Sequence, residues 1–166
     1  FGICIPFSLG IPFRRKRIEF PEEFESLDDT SYVLIATPAF LKRTTEGLRN
    51  NGILKLPMKS PYIFTSGGAV SPELAVDTAK CFGVYPLEVY GSTETSGIAY
   101  RQQNIHNLEW TPFDNAVLSK NEEGCLNIKS PYIKKSPQNV TISNKYSVLL
   151  TYSIIYIIYS FNIAYK

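Results

Sequence analysis

Apolar runs and amphipathic segments alternate along the first half of the chain and predict the order strand, helix, strand, helix, strand. Residues 31–36 are mostly apolar and include β-branched side chains, which favours a buried strand. Thr37 and Pro38 come next, as an N-cap residue followed by proline at the first helical position. The helix that they begin ends before Gly52 and carries a stripe at helical spacing, formed by Leu41, Thr44, Thr45 and Leu48.

The same signals return after residue 61. Residues 62–64 predict a second strand, and Ser71 with Pro72 repeats the cap and the proline. Residues 87–90 predict a third, short buried strand that ends in a turn at Gly91. Strands and helices at this spacing imply right-handed βαβ crossovers, so the predicted fold class is α/β with a parallel sheet.

The alternation changes after Gly97. Residues 98–101 and 126–129 alternate apolar and polar side chains, which predicts half-exposed antiparallel strands. We therefore expect a partial N-terminal segment, an α/β core, a unit of β-strands and a tail, at residues 1–30, 31–97, 98–134 and 135–166.

The tail differs in composition from the rest of the chain. Every Asp and Glu lies at or before Glu123, and no Gly, Pro or acidic residue follows Gln138. Residues 148–165 form an apolar run of about the length that spans a membrane, but several Tyr and Ser side chains and Asn162 make it a poor spanning helix. We expect an aberrant end, such as a shifted reading frame; the alternative is a membrane anchor.

Composition indicates one globular domain. The 166 residues are 44% hydrophobic and 19% charged, which excludes a disordered chain. The net charge of +2 is too small to indicate a nucleic-acid partner. A basic run at residues 14–17 is followed closely by glutamates, so we interpret it as a solvated turn.

The cysteine, histidine and tryptophan side chains give little indication of chemistry. Cys4, Cys81 and Cys125 are widely spaced, which argues against a zinc site and a disulfide framework and favours a reduced, cytoplasmic setting. His106 is the only histidine and no Gly-x-Ser-x-Gly elbow accompanies it, so we expect a surface or packing residue rather than part of a hydrolase triad. Trp110 is expected in the core.

The candidate chemistry lies at residues 90–94, Tyr-Gly-Ser-Thr-Glu, just past the third predicted strand. In open α/β sheets, ligands bind outside the carboxyl ends of the strands. Gly91 would let backbone come close to a ligand. Thr93 can donate a hydrogen bond to a phosphate oxygen, and Glu94 can bind Mg²⁺ together with substrate phosphates.

These five residues resemble the Tyr-Gly-x-Thr-Glu motif of the adenylate-forming, AMP-binding enzymes, which include acyl-CoA synthetases, aryl-CoA ligases, adenylation domains and luciferases. Residues 64–74 resemble the strand, Gly-rich turn and helix that lie beside the adenine in that family. Residues 123–131 resemble its Gly-Glu-Leu-x-Ile-x-x-Pro strand, with Cys125 in the usual acidic position. The resemblance covers roughly residues 30–132 in order. It implies part of an AMP-binding large domain, followed by antiparallel β-barrel-like strands.

The resemblance also implies a reaction. A carboxylic acid attacks the α-phosphate of ATP with release of pyrophosphate, and a thiol of CoA or of a carrier protein then takes the acyl group. By position, Gly67, Gly68 and Ala69 would line the adenine, and Tyr90 would lie against its face.

The phosphate-facing residues follow from the same resemblance. Thr93 would contact the α-phosphate and Glu94 would bind Mg²⁺, so these two residues are the expected catalytic pair. Gly91 and Ser92 would shape the turn that carries them. Gly97 would border the acyl pocket or serve only the fold.

Three parts of the family pattern have no counterpart in these 166 residues: the Ser/Thr/Gly-rich phosphate loop with its lysine, the Asp of the Thr-Gly-Asp motif, and the C-terminal domain with its catalytic lysine. The chain also starts at Phe1 without Met. We therefore expect a fragment of such a ligase that is inactive alone, with no nucleic-acid or membrane partner. The alternative is a noncatalytic, membrane-associated module anchored by the C-terminal apolar run.

Overall fold

The computed structural model describes residues 4–24, 27, 31–56, 62–92, 95–104, 109–120, 122, 126–131, 133 and 157–161. Its helices are α1 (Cys4–Leu9), α2 (Pro38–Asn50) and α3 (Pro72–Phe82), with a 3₁₀ turn at Pro21–Phe24. Its strands are β1 (Ser31–Ala36), β2 (Tyr62–Thr65), β3 (Leu87–Ser92), β4 (Ser96–Gln102), β5 (Thr111–Pro112), β6 (Val117–Lys120), β7 (Leu126–Lys129) and β8 (Ile157–Phe161).

A six-stranded mixed sheet organises these elements, with strand order β5-β4-β3-β2-β1-β8. The three strands predicted from the alternating pattern lie side by side. β2 pairs in parallel with β1 and with β3, with Ala36 opposite Thr65 on one side and Glu88 opposite Thr65 on the other. Strand–helix–strand connections join them, so the predicted α/β class with parallel β1, β2 and β3 is confirmed.

Local capping signals set the limits of the two long helices. The Thr37 side chain accepts a hydrogen bond from the Phe40 N–H at 3.2 Å, and the Ser71 side chain accepts one from the Leu74 N–H at the same distance. Proline occupies the first turn in both helices. Gly83 ends α3 in the left-handed conformation, with φ of 78°.

The core lies between the sheet and these two helices. Leu34 and Ile63 project from the strands into the same cluster as Leu41 and Phe82 of the helices, and all are at most 2% exposed. Phe24 from the 3₁₀ turn packs its ring edge-on against Phe82, with 5.3 Å between the ring centroids. This burial fixes the carboxyl ends of β1, β2 and β3 at one edge of the domain.

The opposite face of the sheet is only partly covered by the described residues. Ile11 and Phe13 of the N-terminal segment pack against Val33. Tyr62 and Phe64, one strand further along, are 56% and 38% exposed. Parallel strands normally have both faces buried, so this face differs from the face that carries α2 and α3.

Arg14, the first residue of the basic run near the N-terminus, is ion-paired. Arg14 lies 2.6 Å from a carboxylate oxygen of Glu23. The backbone N–H groups of Glu19 and Phe20 donate to the same carboxylate and, together with Arg14, hold the pKa of Glu23 below its usual value.

Two predicted features differ from the structure. β3 does not end at Tyr90 but continues to Ser92, because β4 turns back and pairs with it antiparallel, with a register shift between Tyr90 and Gly91. β4 and β5 therefore extend the main sheet, and the boundary expected at residue 97 falls inside β4. The antiparallel pairing is confirmed, and β6 and β7 form a separate two-stranded pair; the barrel-like arrangement stays a prediction.

The C-terminal tail contributes one described segment, β8, which pairs antiparallel with the outer edge of β1. The rest of residues 135–166 lies outside the described residues. Within the described part of the chain, no helix combines the length and the apolar character needed to cross a bilayer.

The helix–sheet core gives a first prediction. Leu41 in α2 is 0% exposed, so Leu41→Ala removes buried apolar volume and should lower the free energy of unfolding by about 2–5 kcal/mol. The exposed neighbour Lys42 is the matched control, and Lys42→Ala should change the free energy of unfolding by no more than about 0.5 kcal/mol. Urea denaturation measures both. Equal losses in the two variants would contradict this placement of α2.

Candidate nucleotide-binding site

Two of the predicted segments meet at the carboxyl end of the parallel strands. Thr65 of β2 is in register with Glu88 of β3. Gly67 and Tyr90 each lie two residues beyond this pair, so the Gly-rich turn and the Tyr90 position share one edge of the sheet. This is the edge at which open α/β sheets bind ligands.

The turn after β2 presents exposed backbone. Gly67 adopts φ of 81°, a left-handed conformation that favours glycine, and Gly67, Gly68 and Ala69 are all exposed. A Cβ added at Gly68 would lie 3.5 Å from Cγ of Pro38, which is ordinary contact. The three residues predicted to line the adenine therefore form an open surface whose local geometry requires glycine at position 67.

Tyr90 is half-buried and packs against an indole ring. The ring centroids of Tyr90 and Trp110 are 5.4 Å apart, with the planes tilted by 52°. The guanidinium of Arg101 lies 4.3 Å from the Trp110 ring centroid, within the range of a cation–π contact. Trp110 is itself only half-buried, so it supports Tyr90 from the side rather than filling the core as expected.

Behind the turn lies a buried carboxylate that the sequence analysis missed. Glu88 is 3% exposed and accepts hydrogen bonds from the Val70 N–H at 3.1 Å, from Arg101 Nε at 2.7 Å and from Gln103 Nε2 at 3.1 Å. Gln103 Nε2 also donates to the Val70 carbonyl at 2.7 Å. The sequence feature that indicates Glu88 is a charged residue inside an otherwise apolar strand, since a buried charge requires hydrogen-bond partners of this kind.

The motif loop itself is closed by a pair of hydroxyl side chains. The Ser92 N–H donates to Thr95 Oγ1 at 3.0 Å, and the Thr95 N–H donates to Ser92 Oγ at 3.2 Å. Thr95 is 0% exposed and donates from Oγ1 to the Ser96 carbonyl at 3.1 Å. These bonds span positions 93 and 94. Thr93 and Glu94, the predicted phosphate and Mg²⁺ residues, lie outside the described residues.

The structure requires glycine at position 91 for a reason that differs from the predicted one. A Cβ at this position would lie 2.0 Å from the backbone oxygen of Ser96, because β4 crosses directly beside it. The close approach is therefore to the neighbouring strand. Gly97, expected to border an acyl pocket or to serve only the fold, faces the ring of Phe113, whose Cε2 would lie 3.3 Å from an added Cβ.

Other candidates for chemistry are few. No group of three or more His, Cys, Asp or Glu side chains that could hold a metal ion occurs within the described ranges. Burial raises the pKa of the Cys81 thiol, which favours its neutral, unreactive form. His106 lies outside the described residues, as does Cys125.

The contact at Gly91 gives a second prediction. Gly91→Ala should lower the free energy of unfolding by about 1–3 kcal/mol or more, because the clash is with backbone and cannot be relieved by a side-chain rotation. Gly68→Ala is the matched control, with a change of about 0.5 kcal/mol or less, because an added Cβ there meets only ordinary contact. Chemical denaturation of both variants is the measurement. A wild-type midpoint for Gly91→Ala would rule out this pairing of β3 and β4.

Comparison with known proteins places the fold. No protein-family model matches the chain, and no curated protein matches it. The chain is similar in structure to apo MatB from Rhodopseudomonas palustris, with a TM-score of 0.51 and 16% identity, over 69% of this chain and 25% of MatB. Coronafacic acid ligase from Pectobacterium brasiliense gives a TM-score of 0.46 and 22% identity, over 59% of this chain and 21% of that one. An ATP-bound RpMatB-BxBclM chimera gives 0.47 and 17%, over 69% and 25%.

The chain thus spans about a quarter of the length of the solved structures that it matches. At 16% identity, the similarity to MatB is a similarity of fold, over 69% of this chain.

Proposed function

We propose that this chain is part of an ATP-dependent ligase that activates a carboxylic acid as an acyl-adenylate and then transfers the acyl group to the thiol of CoA or of a carrier protein. The observation that carries the proposal is the meeting of the Gly-rich turn and Tyr90 at one sheet edge, in the order and spacing of the adenylate-forming motifs. A reduced, cytoplasmic setting is part of the proposal and rests on the cysteine spacing.

The chain's own residues fit the base of a nucleotide. A flat ring needs an unobstructed surface on one side and an aromatic or apolar surface near it. Gly67 and Gly68 have no side chains, and their backbone is exposed. Tyr90 supplies an aromatic ring at the same edge, held from the side by Trp110. In the proposal the turn lines the adenine and Tyr90 lies against its face.

The phosphates would be met by the two motif residues between Ser92 and Thr95. Negative charge grows on the α-phosphoryl oxygens as the carboxylate attacks, so a hydroxyl donor and a bound cation at this point lower the barrier. In the proposal the Thr93 hydroxyl donates to the α-phosphate and the Glu94 carboxylate holds Mg²⁺. The described residues on either side of them, Ser92 and Thr95, are hydrogen-bonded to each other.

A binding experiment tests the adenine site. AMP titrated into the chain should shift the backbone amide NMR signals of residues 67–70 and 90, with a dissociation constant of about 1 mM or weaker, because only part of a nucleotide site is proposed here. Tyr90→Leu should abolish these shifts. Tyr62→Leu, a change of an exposed tyrosine on the sheet face away from α2 and α3, should leave them intact. Shifts confined to other segments, or micromolar affinity, would contradict the proposal.

A catalytic experiment tests how much of the reaction these residues support. Displacement of pyrophosphate from the α-phosphate of ATP needs cationic groups around the phosphates. Residues 64–70 and 87–97 contain no Lys or Arg. ATP–pyrophosphate exchange by the 166-residue chain should therefore stay at background with any carboxylic acid. Exchange above background that is lost in Glu94→Gln would show that these segments suffice for catalysis and would overturn this expectation.

A further inference from the structure

We propose that Glu88 is a positioning residue for the candidate nucleotide site: its buried carboxylate holds the Gly-rich turn and the Tyr90 ring in one fixed arrangement. The inference rests on the proposed function for its ligand but on the described contacts for its mechanism. It assigns a role to a side chain that is 3% exposed and that belongs to neither motif.

The first arm of the arrangement reaches the turn. Glu88 accepts from the Val70 N–H at 3.1 Å, and Gln103 donates to the Val70 carbonyl at 2.7 Å. Both polar backbone groups of Val70 are thus bonded to side chains from β3 and from the residue after β4. Val70 directly follows the exposed residues 67–69, so this clamp fixes the end of the turn that would lie against the adenine.

The second arm reaches the aromatic ring. Arg101 Nε donates to the other carboxylate oxygen of Glu88 at 2.7 Å, and its guanidinium lies 4.3 Å from the Trp110 ring centroid. Trp110 in turn packs against Tyr90. Because one carboxylate binds both the turn and Arg101, a change at Glu88 would move both walls of the candidate site.

The energetics favour a positioning role over a purely stabilising one. Burying an ion pair costs desolvation that its attraction seldom exceeds, so a buried pair is weak evidence for stability alone. An apolar side chain at residue 88 would pack inside the sheet without this cost, but it would leave the Val70 N–H without an acceptor. The presence of a carboxylate at residue 88 is therefore explained by its bonds to the Val70 N–H and to Arg101.

The test compares two carboxylate-to-amide changes in the full chain. Glu88→Gln keeps one oxygen, which should face the two donors Arg101 and Gln103, one of them charged, so the amide NH₂ faces the Val70 N–H and the bond to the turn is lost. Asp77→Asn is the control, because Asp77 pairs with Arg49 between α2 and α3, away from the site. Amide hydrogen exchange at Val70, the emission of Trp110, which is the only tryptophan, and AMP affinity by NMR are measured for each variant.

For Glu88→Gln we expect roughly tenfold faster exchange at the Val70 amide, a shift of the Trp110 emission and about threefold or more weaker AMP binding, whereas the core amide of Leu34 exchanges as in the wild type. Asp77→Asn should leave the Val70 amide, the emission and AMP binding unchanged. Unchanged exchange at Val70, or equal acceleration at Val70 and Leu34, would overturn the proposal, since the latter means general destabilisation.

Two further outcomes are separable. If Glu88→Gln does not fold, Gln103→Met is the deciding variant, because it removes the bond to the Val70 carbonyl and keeps the Glu88–Arg101 pair. Exchange at the Val70 amide should then rise by about threefold. An unchanged exchange rate would refute the clamp. If the wild-type chain binds no AMP, the proposed function fails, while exchange at Val70 and the Trp110 emission still decide whether Glu88 positions the turn and the ring.

Discussion

The arrangement of the candidate site depends on satisfying one buried charge. The Glu88 carboxylate takes donors from the turn after β2, from β4 and from the residue after β4, so these three segments can move only together. The charge is tolerated in the interior because both carboxylate oxygens have hydrogen-bond donors. The parallel pairing of β2 and β3 brings the segments near one another, and the charge fixes their final separation.

Local signals in the sequence were sufficient for the central βαβ units. Thr37 with Pro38, and Ser71 with Pro72, act on helix ends within a few residues, so their effect does not depend on the rest of the fold. The limits of β1 follow from its apolar run for the same reason. The extension of β3 to Ser92 depends on β4, and the pairing of β1 with β8 joins segments from opposite halves of the chain. Neither could be predicted from a local pattern.

The site was predictable only as far as its motifs reach. The glycine turn and Tyr90 were identified from the sequence, and the register between Thr65 and Glu88 brings them to one edge. Thr93 and Glu94 keep the roles that the resemblance implies as predictions. Arg101, Gln103 and Thr95 belong to no motif, because their importance comes from contacts made only after the hairpin has formed.

The contact between Gly91 and β4 has a consequence for how such motifs persist during evolution. A glycine that is required by the backbone of Ser96 is under selection for folding whether or not a nucleotide is bound. In a lineage that lost ATP chemistry, Gly91 would be retained with the hairpin, whereas the side chains at positions 93 and 94 would be free to drift. Retention of the threonine and the glutamate is therefore the more informative sign of selection for catalysis, and retention of the glycine is a sign of selection for the fold.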